Sequence, residues 1–480
     1  MEAGSLMRVH IADYGPCTDA GSSSDRELEQ ASAGQRLTMN KSRPGVFSFG
    51  TAVVVLACIA FLLAWLGSGA GRNHGLRAAA DSVVEAVGET RTTPMTAAAV
   101  ASSVNIFGFS LLSALYKTAD NSSVFISPLS IVSALGMVTL GTTPHKAVQS
   151  ELLSAWGVNA SQAPDFFDGL RHQTSELMAL KDVDLLSVNS VWCKSTINDA
   201  FINAAQHSFD AEAKQLPRNP TPINDWCKKA TNGMIPSILD KIDEKTVAVL
   251  VNAVYFKGIW ASKFNKDQSV RGIFRSPKTG ETPCAMMKRT DKKMRYSEVH
   301  GAQIVELPYG TANGRIAATI ILPSKTNGAL AHLVSQLDAP AGTALLTEKL
   351  GGLRPTHVRL QLPRFKVEFG VHDLRPELKS AFSIVEAFNG TGEFLQMSDD
   401  KEVHLSSVFH KVVVEVDEEG SKAAAVTAGV MMTRAAIVMP SPPKDVIVDR
   451  PFLFLIRDTS TGMLLFAGIV SDPTLDTRDV

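Results

Sequence analysis

Cysteine is scarce in this chain. There are five in 480 residues (Cys17, Cys58, Cys193, Cys227 and Cys284), without the spacing of a metal site or a disulfide framework. Stapling is excluded as the source of stability, and Cys193 and Cys227 are expected as free or buried thiols. An excess of charge is missing too: 47 Lys and Arg against 48 Asp and Glu leave a net charge of −1, so composition points to no nucleic-acid partner. Catalytic motifs are absent. There is no Gly-x-Ser-x-Gly elbow, no phosphate loop, no His-Glu-x-x-His and no Cys-x-x-Cys. His145, His300, His357, His372, His404 and His410 are scattered, and none stands in a catalytic constellation. Asp417, Glu418 and Glu419 are adjacent rather than facing, so they form no general acid–base pair. No enzyme, metal or cofactor is expected.

What is present is a globular composition, 45% hydrophobic and 20% charged. Residues 1–45 are polar and read as a disordered tail. Residues 46–66 carry no charge and are long enough to span a bilayer, with Trp65 placed for an interface. Arg36, Lys41 and Arg43 precede the span, which favours a cytosolic amino end. Ser68-Gly69-Ala70 offers a small-residue site at which the rest would be released. Residues 67–100 read as a flexible stalk, and 101–480 as a single body. Within that body Asn121, Asn159 and Asn389 open glycosylation sequons, fitting a lumenal or extracellular location, as a type II anchored or a secreted protein. Asn40 also opens a sequon, on the side assigned to the cytosol, and argues against that orientation.

The body alternates helical and strand patterns without repeats, which predicts one α+β domain. Helical spacing falls at 105–117, 128–140, 162–181, 223–231 and 330–337. Strands are expected at 247–256, 304–308, 316–323, 357–362, 365–369, 412–416 and 452–456. The first of these is continuous and apolar, a central strand, with Asn252 in its middle needing partners. The basic run from Lys288 to Arg295 reads as a solvated hairpin rather than a polyanion site.

One stretch does not fit a compact domain. Between the strands at 412–416 and 452–456 lies a connection of about 30 residues, and loops of that length are functional or disordered. It opens Glu418-Glu419-Gly420, runs through small residues to Thr433-Arg434, and leaves through Pro440-Ser441-Pro442-Pro443. Its alanines allow a short surface helix over 421–432. Taken as a strand, it places Ser421, Ala423, Ala425 and Thr427 on one face and Lys422 on the other.

Several blocks, in order and at matching distances, resemble the serpin family of serine protease inhibitors. They are Ser127-Pro128-Leu129-Ser130-Ile131, the interior block from Thr246 to Trp260, Glu306-Leu307-Pro308-Tyr309, and Leu362-Pro363-Arg364-Phe365-Lys366. Phe409-His410-Lys411 leads into the Glu418-Glu419-Gly420 hinge, and Arg450-Pro451-Phe452 through Phe466-Ala467-Gly468 closes the chain. The resemblance covers 101–480. It implies an α+β fold of three β-sheets and about nine helices with a protruding reactive loop. It also implies a monomer whose loop is attacked by a target protease, traps it as an acyl-enzyme and inserts into the main sheet as a new strand. Ser421, Ala423, Ala424, Ala425 and Thr427 are then the small hinge residues that slide between strands. The family spacing from Gly420 places the scissile bond at Arg434–Ala435, and an Arg there suits trypsin-like proteases, whose specificity pocket carries a carboxylate. The exit to Pro451 is longer than usual, so Met432 or Met439 stands as the alternative bait, for chymotrypsin- or elastase-like or cysteine proteases. A non-inhibitory serpin is the other alternative. Ser127, Ser130, Asn252 and His410 resemble the polar cluster where the sheet opens, Trp260 the residue at the loop's point of entry, and Glu418 with Arg364 the hinge pair.

Overall fold

The computed structural model describes residues 94–473 except 182, 300, 312–313, 327 and 421–441. The expected tail, membrane span and most of the stalk lie outside the described residues, as do Ser421 to Thr427, Met432, Arg434, Ala435 and Met439.

Helix α1 (Ala97–Thr118) starts where Thr96 Oγ1 accepts from the Ala99 N–H at 3.2 Å, eight residues ahead of the expected start. It is the one helix among the described residues long and apolar enough to cross a membrane, yet most of it is buried in the fold. Its spacing explains this: Val100, Val104, Phe107, Leu111 and Leu115 recur every three or four residues and face the core. Helix α2 (Pro128–Leu140) has the bounds its pattern predicts. Pro128 sits in the first turn, where its missing N–H costs nothing, and Ser127 caps that turn. α2 is apolar all round and almost entirely buried, as a helix enclosed by other elements must be. The remaining helices are α3 (Ala147–Ala155), α4 (Ala163–Met178), α5 (Asp199–Phe209), α6 (Thr221–Ala230), α7 (Ala329–Leu337), α8 (Pro340–Gly351) and α9 (Arg375–Phe382). That makes nine α-helices among the described residues.

A five-stranded sheet positions the site. Its order is β10 (Phe365–Asp373), β11 (Leu405–Val416), β4 (Ala248–Gly258), β2 (Val183–Cys193) and β3 (Glu212–Gln215). β4 is buried along almost its whole length, as its continuous apolar run predicts. β11 and β4 run parallel and pair directly, from Leu405 opposite Ala248 to Val414 opposite Phe256, as β2 and β3 also do at the edge.

The other strands form one nine-stranded ladder. It runs β1 (Val124–Ile126), β14 (Leu464–Val470), β13 (Phe452–Asp458), β8 (Ile316–Leu322), β7 (Ala302–Pro308), β6 (Gly280–Val299), β9 (Arg354–Pro363) and β12 (Lys444–Ile447), with β5 (Val270–Ser276) also on β6. The second and third sheets implied by the family fold are thus joined in one ladder. The twenty-residue β6 joins them: β9 lines one edge, and β5 and then β7 share the other.

β6 also corrects the reading of its basic run. Lys288 to Arg295 is no hairpin but the middle of that strand. A bulge between Asp291 and Met294 accommodates Lys292 and Lys293, both exposed, before the pattern resumes with buried Met294 and Tyr296. Cys193, Cys227 and Cys284 are free and buried, as expected for the first two.

Candidate functional site

The root of the long connection is built at the end of β11. After Val416 the chain turns through Asp417, whose Oδ1 accepts from the N–H of Glu419 at 2.9 Å and of Gly420 at 3.0 Å. Gly420 has φ +106°, and a Cβ there would lie 2.3 Å from the Gly258 carbonyl oxygen and 2.5 Å from the Trp260 nitrogen. Only glycine fits. The turn is pinned to the segment that leaves β4: the Trp260 N–H donates to the Glu419 carbonyl at 3.0 Å and the Phe264 N–H to the Glu418 carbonyl at 2.9 Å. The Trp260 indole N–H donates to the Asp417 carbonyl at 2.9 Å, while its ring stacks on Tyr309 at 4.3 Å.

Glu418 is the polar centre of this corner. It is 1% exposed. Its Oε1 accepts from Arg364 Nη2 at 2.8 Å and from Ser269 Oγ at 2.6 Å. Burial pushes its carboxyl up, but those hydrogen bonds outweigh it and hold the group below the usual carboxylate range. Burial raises Asp417 instead, against the pull of its two N–H donors. Lys266 Nζ, on the surface, meets Glu419 Oε1 at 2.9 Å.

A second cluster lies under the middle of the sheet, where α2 crosses it. Asn252, on β4, is its hub. Its Nδ2 donates to Asn189 Oδ1 at 2.6 Å and to the Ser130 hydroxyl and carbonyl, the latter at 3.3 Å, while its Oδ1 meets His410 Nδ1. His410 Nε2 accepts from the Ser127 N–H at 3.2 Å, which fixes the tautomer with the proton on Nδ1. The hydroxyls of Ser130 and Ser187 share a hydrogen bond of 2.7 Å. His410 is fully buried, and desolvation, aided by nearby His372, lowers it to about 3, so it is neutral. The cluster ties β2, β4, β11 and α2 together by side-chain hydrogen bonds across the line where β4 meets β11.

The structure thus divides the predicted machinery in two. Ser127, Ser130, Asn252 and His410 meet under the sheet; Trp260, Arg364, Glu418 and Gly420 meet at the end of β11. Asn189 and Ser187 in the first group, and Tyr309, Ser269 and Lys266 in the second, escaped sequence reasoning. A signal for Asn189 was available: it is directly opposite Asn252 in the ladder, a second buried amide in an apolar strand. Asn121, Asn159 and Asn389 are all exposed.

Residues 102–473 match the family model described as Serpin (serine protease inhibitor). Among curated proteins the chain is 31% identical over 382 residues to the leukocyte elastase inhibitor of Xenopus laevis, covering 76% of this chain and 97% of that one. It is 33% identical to human Serpin B8 (76% and 97% covered) and 30% identical to human neuroserpin (75% and 88%). Among solved structures, human thyroxine-binding globulin in complex with its hormone aligns with a TM-score of 0.69 at 23% identity, over 79% of this chain and 100% of that one. Serpin48 of Tenebrio molitor aligns with a TM-score of 0.66 at 23% identity, over 78% and 98%; at that identity these two likenesses bear on the fold alone. A model match over 372 residues (102 to 473), together with these relatives, shows that the chain belongs to the serpin family.

Proposed function

We propose that this serpin inhibits trypsin-like serine proteases as a suicide substrate, with Arg434–Ala435 as the scissile bond. The observation that carries the reading is the direct parallel pairing of β4 and β11. A segment that leaves the end of β11 at Gly420 and folds back runs antiparallel to β11, and therefore antiparallel to β4 as well. Parting these two strands opens a slot in which it gains both ladders at once. Ser421, Ala423, Ala425 and Thr427 are small enough to enter that slot, and Lys422, of opposite parity, keeps its charge on the other face. Trp260 and the Glu418–Arg364 pair hold the point of entry; Asn252, Ser127, Ser130 and His410 hold the strands that must part. The name of the leukocyte elastase inhibitor fits an inhibitory rather than a carrier role.

Mixing the protein with trypsin and running a denaturing gel tests the reading. An SDS-resistant complex is expected, and mass spectrometry of the released carboxy-terminal peptide should begin it at Ala435. Cleavage without a complex would refute inhibition, while a peptide beginning after Met432 or Met439 would move the bait to the alternative register. We further propose that residues 46–66 carry the body into the secretory pathway, anchored or released near Ala70. The exposure of Asn121, Asn159 and Asn389 supports glycosylation there, which endoglycosidase treatment of the protein from mammalian cells would reveal as a mass shift.

A further inference from the structure

Helices α7 and α8 pack beside β7 and β8 without closing on them. Between them lies a cavity of about 850 Å³, inside the range of about 300–1,000 Å³ of small-molecule sites. Neither polar cluster lines it, and neither do α1, β13 or β14. The sheet supplies Ile304 and Ile321, both buried. α7 turns Ala329, His332, Leu333 and Gln336 to the space, an i, i+3, i+4, i+7 stripe. α8 does the same with Gly342, Leu345, Leu346 and Lys349.

Stripes of this kind are ordinarily the faces by which helices pack. The two helices do meet at one place: a Cβ on Gly342 would collide with the Gln336 carbonyl, so only glycine fits there. Elsewhere the stripes enclose open space. Leu345 is left 41% exposed, a large apolar side chain in water.

The polar groups on these walls have one character. No Asp or Glu lines the cavity, and Lys349 is the only lysine or arginine that does. Its partner Glu348 stands outside the wall, in a surface pair of 3.0 Å. Such exposed pairs contribute at most about 1 kcal/mol, so the ammonium can exchange that partner for another anion. The His332 and Gln336 side chains are exposed and make no hydrogen bond among the described residues. An apolar chamber with one cation and no acid suits an apolar molecule that ends in an anion; a cationic ligand would find no partner. From Gly342 to Lys349 the wall follows about 10 Å of helix axis, which suits an extended chain rather than a compact ion.

We propose that the cavity between the α7–α8 pair and β7–β8 binds a long-chain carboxylic acid. Its alkyl chain lies against Ile304, Leu333 and Leu345, and its carboxylate meets Lys349, with His332 as a further donor. The site is separate from the β4–β11 seam and from the long connection, and it does not depend on the inhibitory reading.

Photolabelling the full chain with a diazirine-bearing palmitic acid tests this, because mass spectrometry maps the adducts to residues even with lipid or detergent present. Adducts are expected within 329–349. Excess palmitic acid should remove them, whereas methyl palmitate, which has the same chain without the charge, should not. Lys349→Glu should weaken the competition by palmitic acid about 10-fold, through loss of one charge-assisted contact. Ala341→Trp fills the cavity from an exposed position and should abolish the labelling while the unfolding midpoint stays that of the parent. Adducts confined to 46–66 or scattered over the surface would overturn the site. Equal competition by methyl palmitate, or a Lys349→Glu variant indistinguishable from the parent, would overturn the carboxylate assignment and the proposal with it.

Discussion

His410 shows how one buried residue couples stability to pH. Its ring has no solvent contact, its Nε2 is occupied by the Ser127 N–H, and its Nδ1 proton is held by Asn252. Protonating it would add a second donor on Nε2 facing a donor, inside a site where no charge compensates. The folded protein therefore keeps it neutral down to about pH 3, whereas an unfolded imidazole takes a proton near its ordinary value of 6.5. Between those values the unfolded chain binds more protons, so stability rises with pH across the window and is lost on acidification. His410→Gln keeps a hydrogen-bonding side chain without the titration. Thermal midpoints measured from pH 7 to pH 4 should fall less steeply for this variant than for the parent; an unchanged slope would mean that other groups carry the acid sensitivity.

At the scale of elements, the root of β11 is a corner closed by backbone and side chain together. Its weakest point under mutation is the Glu418–Arg364 pair, since both groups are largely withdrawn from water. Glu418→Lys places a second cation against Arg364 in a largely buried corner. Breaking a buried pair in this way costs about 3–5 kcal/mol. The loss falls where β11 meets the segment after β4, so the upper ends of β4 and β11 should separate more readily. On the proposed insertion mechanism, a second copy's loop would then have access to the slot. The expected outcome is faster self-association on mild heating, read as a ladder on a native gel, while Glu418→Gln, which keeps the hydrogen bonds, should stay close to the parent.

How much of this was legible in the sequence differs by element. β4, β8 and β13 were, because each is enclosed on both faces and reads as an unbroken apolar run. α2 was placed to the residue by its helical spacing. β6 was not, since its bulge breaks the alternation that would have identified it, and its lysines read as solvated turn. α3 and α9 bury only a few side chains and leave a faint apolar stripe. The polar cluster was reachable only by resemblance. Asn252 contacts Ser130 across 122 positions and His410 across 158, and no local pattern encodes such a meeting. The pairing of Glu418 with Arg364 was of the same kind, whereas its third partner, Ser269, had no motif to announce it.

For the whole molecule the central fact is that its five-stranded sheet has a seam. β4 and β11 are joined by a parallel ladder, slightly weaker per residue than an antiparallel one, and the cluster around Asn252 reinforces it from below. On the proposed mechanism, replacing that one ladder by two antiparallel ones, with a strand of small side chains between them, would lower the free energy of the sheet. An intact connection tied at Gly420 and again at Lys444 resists reaching that state, because both its ends are fixed. A cut between them frees one end. Cleavage should therefore raise the unfolding midpoint, and a gain of several kcal/mol corresponds to about 5 °C for a domain of this size. Scanning calorimetry before and after limited proteolysis within 421–443 measures it directly. A carrier serpin whose loop stays outside the sheet would show no rise, so the outcome decides whether the seam is a working part of this protein or only an inherited feature of its fold.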